Sequence, residues 1–166
     1  MAIPVIYIMG VSGSGKTTIG MQLSAATGIP FFDGDDFHSP ANKEKMKSGQ
    51  PLNDDDREGW LYSINQFAKK EAEKKGAIIA CSALKEKYRI ILSEGMEESV
   101  HWVFLQGDRT LISERIKTRK GHFMPESLLQ SQFDTLEIPR NAILIKIDKS
   151  PEEIVKEILK GMDAGY

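Results

Sequence analysis

The chain predicts an α/β domain on a mainly parallel sheet, and three features point there. Apolar runs of strand length recur at 3–9, 29–32, 77–81, 101–105 and 142–147. Helical patterns separate them, at 16–26, 55–75, 84–93, 108–119 and 151–160. Strict alternation of this kind implies right-handed crossovers between neighbouring parallel strands.

The elements can be justified in order. The run at 3–9 has no basic residues before it and passes straight into a glycine-rich segment, so it reads as a first strand rather than a targeting leader. The helix at 55–75 is the clearest, with Trp60, Leu61, Ile64, Phe67, Ala68 and Ala72 on one face and Gly76 at its C-terminal end. Ser150 and Pro151 give the last helix a standard N-cap and first-turn proline. Two segments, 39–56 and 120–140, fit no strand or long helix and read as polar connections of the kind that carry lids or binding loops.

Composition narrows the partners. A chain of 166 residues with 40% hydrophobic and 28% charged residues suits one soluble domain spanning 1–166. The net charge of -2 supplies no broad basic field, so nucleic acid is not expected as a partner. No apolar run approaches the length of a membrane span, and no membrane partner is expected. The only cysteine, Cys81, lies in the apolar stretch AIIACS, which excludes an intrachain disulfide and fits a reducing cytoplasm.

GVSGSGKT at 10–17 matches the phosphate-loop pattern G-x-x-x-x-G-K-[ST] at every fixed position, between a strand and a helix. Backbone N–H groups of Gly10, Val11, Ser12, Gly13, Ser14, Gly15 and the first helical residues through Thr18 can converge there on phosphates. Lys16 can reach the outer phosphates and Thr17 can ligate Mg2+, so ATP with Mg2+ is the expected nucleotide. An Asn-Lys-x-Asp base-reading motif is missing, which argues against a GTPase. The third strand ends in Cys81 and Ser82 where an ordinary P-loop ATPase carries an aspartate. Another carboxylate must organise the metal.

The stretch DGDDFHSPANKEKM at 33–46 offers one. Asp33 and Asp35 alternate on extended chain just after the second strand, so Asp33 is assigned to the metal and Asp35 to the acceptor hydroxyl, whose proton it can accept. The competing reading is a solvated acidic loop with Asp36 capping a short helix. His38 either bonds a polyhydroxylated acid or ties down its own loop. Lys43, Lys45 and Lys47 sit two apart on a short helix and are expected to be mostly solvated. Asn53 to Asp56 suit a helix N-terminus without any catalytic role. Arg57, in the first turn after them, can pair bidentately with a carboxylate or form a local salt bridge. Arg115 and Arg119 stand four apart at a helix end, where either could neutralise a transferring phosphoryl group or simply complement the helix dipole.

Taken together, MGVSGSGKTTIG, DGDDFHSPANKEKMKSGQPLNDDDREGWL, ACSALKEKYR and GHFMPESLLQSQFDTLEIP resemble the short P-loop gluconate kinases. The likeness runs from Met9 to Pro139 and is carried by H-x3-N-x2-K-M, P-L-x-D-x-D-R and G-H-F-M-P. It implies a three-layer, shikimate-kinase-like P-loop kinase fold with sheet order 2-3-1-4-5, an acceptor insertion at 36–56, a mobile lid at 119–140 and a homodimer. It also implies ATP-dependent phosphorylation of D-gluconate, with Lys16, Asp35 and Arg119 catalytic and Asp35, His38, Arg57, Ser82, Ala83, Leu84, Lys85 and Arg89 on the gluconate side. Lys85 and Arg89, four apart on a helix, could meet an acid together, and His122 is expected to anchor the lid. A kinase for shikimate, a nucleotide or another sugar acid, and a non-catalytic nucleotide-binding module, are the competing readings.

Overall fold

The computed structural model describes residues 3–118 and 125–164. Five parallel strands, β1 (Val5–Met9), β2 (Phe31–Asp33), β3 (Ala77–Ala80), β4 (Val100–Gln106) and β5 (Ile143–Lys146), form one sheet in the order β2-β3-β1-β4-β5. The expected order is therefore the observed one. Helices α1 (Lys16–Thr27), α2 (Pro40–Lys47), α3 (Asp54–Ala72), α4 (Glu86–Ser93), α5 (Arg109–Thr118) and α6 (Glu126–Thr135) connect the strands, and α7 (Pro151–Ala164) follows the last. Among the described residues no helix is long and apolar enough to cross a membrane.

The central strand β1 is wholly buried because it is covered on both faces, and its side chains divide by the period of two. Ile6 and Ile8 enter a core layer with Leu23, Ile78, Val103, Ile154 and Ile158, while Val5, Tyr7 and Met9 enter the other with Trp60, Leu61, Ile64, Ile79 and Leu92. The buried Tyr7 hydroxyl is satisfied by the Leu92 carbonyl at 2.9 Å. Each layer rests on one sheet face, which leaves the C-terminal ends of the strands to carry ligands.

Several element ends shift by a few residues, the long helix stopping at Ala72 with Glu73 rather than Gly76 at its C-cap, and three differences have a clear local reason. β2 begins at Phe31 because Pro30 has no N–H to donate, although its carbonyl accepts from Ile78 at 2.8 Å. α4 begins at Glu86 rather than 84 because Ala83 sits at φ 45 and Lys85 is extended. α6 lies within the segment expected to be a bare connection. Its signal was present: Leu129, Phe133 and Leu136 follow Pro125 at helical spacing and pack on the first core layer.

Asp33 ends β2 and caps a tight turn at Gly34–Phe37, its carboxylate accepting the Asp35 N–H at 3.0 Å. Gly34 is buried there, and its carbonyl accepts the Trp60 indole N–H at 2.7 Å. A Cβ at Gly34 would stand 2.5 Å from the Ala80 carbonyl oxygen. Gly34→Ala should therefore cost about 1–3 kcal/mol through forced repacking, and at this chain size each kcal/mol lowers Tm by about 2–4 °C. Thermal unfolding measures this; an unchanged Tm would show that the turn is not held against β3.

Candidate active site

The phosphate loop leaves β1 and enters α1 without any side-chain cap, Gly15 standing at the N-cap with φ 100. The helix thus presents its first-turn dipole to the loop's concavity. Gly10 has no room for a side chain, since a Cβ would lie 2.9 Å from the Leu105 carbonyl. The Lys16 ammonium donates to the Gly10 and Val11 carbonyls, each at 3.0 Å, and so lies along the first arm of the loop. The Thr17 and Thr18 side chains are exposed beside it.

The acceptor arm faces this loop across the end of β3. Burial pushes the Cys81 thiol up to about 12, and the charges of Asp35, Lys16 and Asp33 all reach it. Asp33 ends β2 in register with Ala80, and Gly10, whose carbonyl holds Lys16, donates its N–H to the Ser82 carbonyl, so the two arms flank the end of β3. Asp33 is half-buried, and its carboxyl is raised first by burial and then by the Asp35 and Asp36 charges, against the Asp35 N–H and Lys16. Asp35 is open, its side chain 76% exposed, with an oxygen 3.8 Å from His38 Nε2. Asp33, not Asp36, caps the turn.

His38 is held from two sides. Its ring stacks on Trp60 at 4.0 Å, and Asn42 Nδ2 lies 3.4 Å from its Nδ1 while donating to the Asp56 carbonyl at 2.7 Å. An amide donor at Nδ1 leaves the ring proton on Nε2, the nitrogen that faces Asp35. Burial, then the Arg57 and Lys43 charges, lowers the imidazole to about 4. Lys43 and Lys47 are exposed, as expected of most of these lysines, whereas Lys45 bonds the Asp56 carboxylate at 2.6 Å, and Asp56 in turn completes a capping box with Asn53.

Arg57 donates to the Tyr88 hydroxyl at 2.9 Å rather than to a neighbouring aspartate. Tyr88 donates to Asp54, which also accepts from Lys85 at 3.2 Å and from Lys87. Tyr88 and Asp54 thus orient the arginine, and sequence reading missed both because they meet across 31 to 34 residues of chain.

The structure corrects the pairing of Lys85 with Arg89. Lys85 turns to Asp54, whereas Arg89, 4% exposed, donates to the Ala83 carbonyl at 2.6 Å, the Glu137 carbonyl at 2.9 Å and the Glu86 carboxylate. The two side chains do not meet, and the Arg89 guanidinium ties the turn after β3 to the chain after α6. Ser82 and Ala83 follow β3, with the Ser82 carbonyl accepting the Gly10 N–H at 3.4 Å, so this turn abuts the phosphate loop.

On the far side of the loop a cavity of about 340 Å³ is lined by Gly13, Gly15, Thr18, Arg115, Lys149 and Pro151, among others. Arg115 is fixed there by the Ile147 carbonyl at 2.7 Å. Lys149 was not foreseen; it bonds Glu157 at 2.6 Å. Arg119 and His122 lie outside the described residues.

Comparison with known proteins agrees with this geometry. Residues 12–163 match the shikimate kinase family profile. A probable gluconokinase of Dictyostelium discoideum is 47% identical over 93% of this chain and 84% of its own. The thermoresistant gluconokinase of Escherichia coli (strain K12) is 40% identical over 96% of this chain and 94% of its own. The crystal structure of a gluconokinase from Sinorhizobium meliloti 1021 superposes with a TM-score of 0.89 at 42% identity, covering 97% of this chain and 92% of that one. The chain belongs to the gluconokinase family. It is accordingly a P-loop kinase.

His38 gives this kinase a pH signature. The folded imidazole, lowered to about 4 from 6.5, binds fewer protons than the unfolded one between those values, so stability falls as pH drops through that window. Replacing His38 with Gln should flatten the wild-type loss between pH 6.5 and 4, measured by urea unfolding at several pH values. Equal pH slopes in the two proteins would show that His38 titrates normally.

Proposed function

We propose that this protein transfers the terminal phosphoryl group of ATP to the 6-hydroxyl of D-gluconate, giving 6-phospho-D-gluconate and ADP. The observation that carries the reading is that the loop holding Lys16 and the turn holding Asp33 and Asp35 leave the strands on either side of β3, in a chain similar to gluconokinases over nearly its full length.

The phosphates lie on the loop and the α1 N-terminus, with Lys16 stabilising charge as it develops on the transferring group. Asp35, open and next to His38, orients the attacking hydroxyl and takes its proton. His38, neutral and protonated on Nε2, donates to a sugar-acid oxygen without adding charge. Arg57, oriented by Tyr88, pairs with the gluconate carboxylate.

The residues also fit Mg2+. Thr17 supplies a hydroxyl and Asp33 a carboxylate, hard oxygen donors that complement phosphate oxygens and water. Asp33's carboxyl is raised by burial and by like charge, a situation that a cation would relieve. When bound, the metal neutralises charge on the outer phosphate oxygens.

A coupled ADP-release assay across gluconate, shikimate, nucleoside monophosphates and other sugar acids tests the substrate. Gluconate should stand far above the rest, and turnover no faster than with water alone would sink the assignment. Asp35→Asn should lower kcat by about 10²–10⁴-fold, the usual range for a lost general base; a change in KM alone would make Asp35 a binding residue. Lys16→Ala should abolish most phosphoryl transfer in the same assay, and turnover at the wild-type rate would remove the lysine from the mechanism.

A further inference from the structure

The α6 residue Gln132 grips the phosphate loop from outside. Its Oε1 accepts the Ser12 backbone N–H at 2.7 Å, and its Nε2 donates to Ser12 Oγ at 3.0 Å. The backbone N–H can only donate, so it fixes which end of the amide is oxygen. Nε2 in turn fills an acceptor site on Oγ, which leaves the hydroxyl proton to be donated elsewhere.

Where that proton can go follows from the loop. The cavity on the far side of the loop is lined by Gly13, Ser14, Gly15 and Thr18, among others, and Ser12 is not among its lining residues. Ser12 instead continues the first arm of the loop, along which the Lys16 ammonium lies. A P-loop lysine reaches the outer phosphates, so Ser12 stands at the terminal-phosphoryl end of the loop.

We propose that Gln132 is a positioning residue that holds the Ser12 hydroxyl as a donor to the terminal phosphoryl group of ATP. The inference rests on the reading of ATP as phosphoryl donor. The placement of Gln132 is itself supported from both ends of its segment. Leu129, Phe133 and Leu136 pack it into the core. Just beyond α6, the Glu137 N–H donates to the Leu84 carbonyl at 2.7 Å and the Glu137 carbonyl accepts from Arg89 at 2.9 Å. One short piece of chain thus fixes the phosphate loop and the turn after β3 together.

The test is calorimetric binding of ADP and of a non-hydrolysable ATP analogue, each with Mg2+, to wild type, Gln132→Met, Ser12→Ala and the double variant. Methionine keeps the volume of glutamine and removes both hydrogen bonds. We expect the ATP analogue to bind at least roughly fivefold more weakly to each single variant, with ADP affinity and Tm nearly unchanged. The double variant should be little worse than either single one, because both act through one contact. Equal losses for ADP and the analogue would make the contact merely structural, and fully additive losses would uncouple Gln132 from Ser12. No loss at all would equally overturn the inference. Gluconate turnover by the wild type, assayed alongside, judges the acceptor separately, since the binding comparison uses no acceptor.

Discussion

The acceptor arm depends on one close backbone approach, that of Gly34 to the end of β3. With no carboxylate at the end of β3, the acidic groups must come from the neighbouring strand, and they are useful only if that strand's exit is pressed against the sheet. Gly34 makes the approach sterically possible and the Trp60 indole holds its carbonyl there. The same Trp60 is the platform on which His38 stacks. Asp33, Asp35 and His38 therefore inherit their positions from one glycine and one tryptophan.

That arrangement also explains the charge state of the site. A histidine beside two aspartates would ordinarily be expected to gain a proton. Here burial against Trp60, with Arg57 and Lys43 nearby, outweighs the Asp33 charge and holds the ring neutral. In the proposed transfer, a neutral imidazole beside Asp35 can donate a hydrogen bond without adding charge to the site. Arg57 is kept in place by a phenol rather than by a carboxylate that would cancel its charge.

The readability of these parts from sequence follows their locality. The phosphate loop was legible because its chemistry lies in eight consecutive residues with fixed glycines, and the sheet because its strands are continuous apolar runs. The spacing of His38 and Asn42 was visible as a motif, but the hydrogen bond it encodes needed the helix of α2 to exist. Arg57 with Tyr88, and Ser12 with Gln132, were hidden because each pair joins elements that only the sheet order brings together. Helix α6 escaped because glutamines and serines dilute its apolar stripe.

Arg89 shows where residue type misleads. An arginine next to an acceptor site invites a role in binding an acid, and its spacing from Lys85 strengthened that expectation. Yet a buried guanidinium must have its donors satisfied, and carbonyls can do so without any ligand. The positive φ of Ala83 aims a backbone carbonyl at Arg89, and the carbonyl of Glu137 completes the set. Removing the arginine would leave two carbonyls unpaired at the turn that abuts the phosphate loop, so its effect on catalysis would travel through backbone position. The chain after β3 and the chain after α6 are thus joined by a cation that belongs to the scaffold.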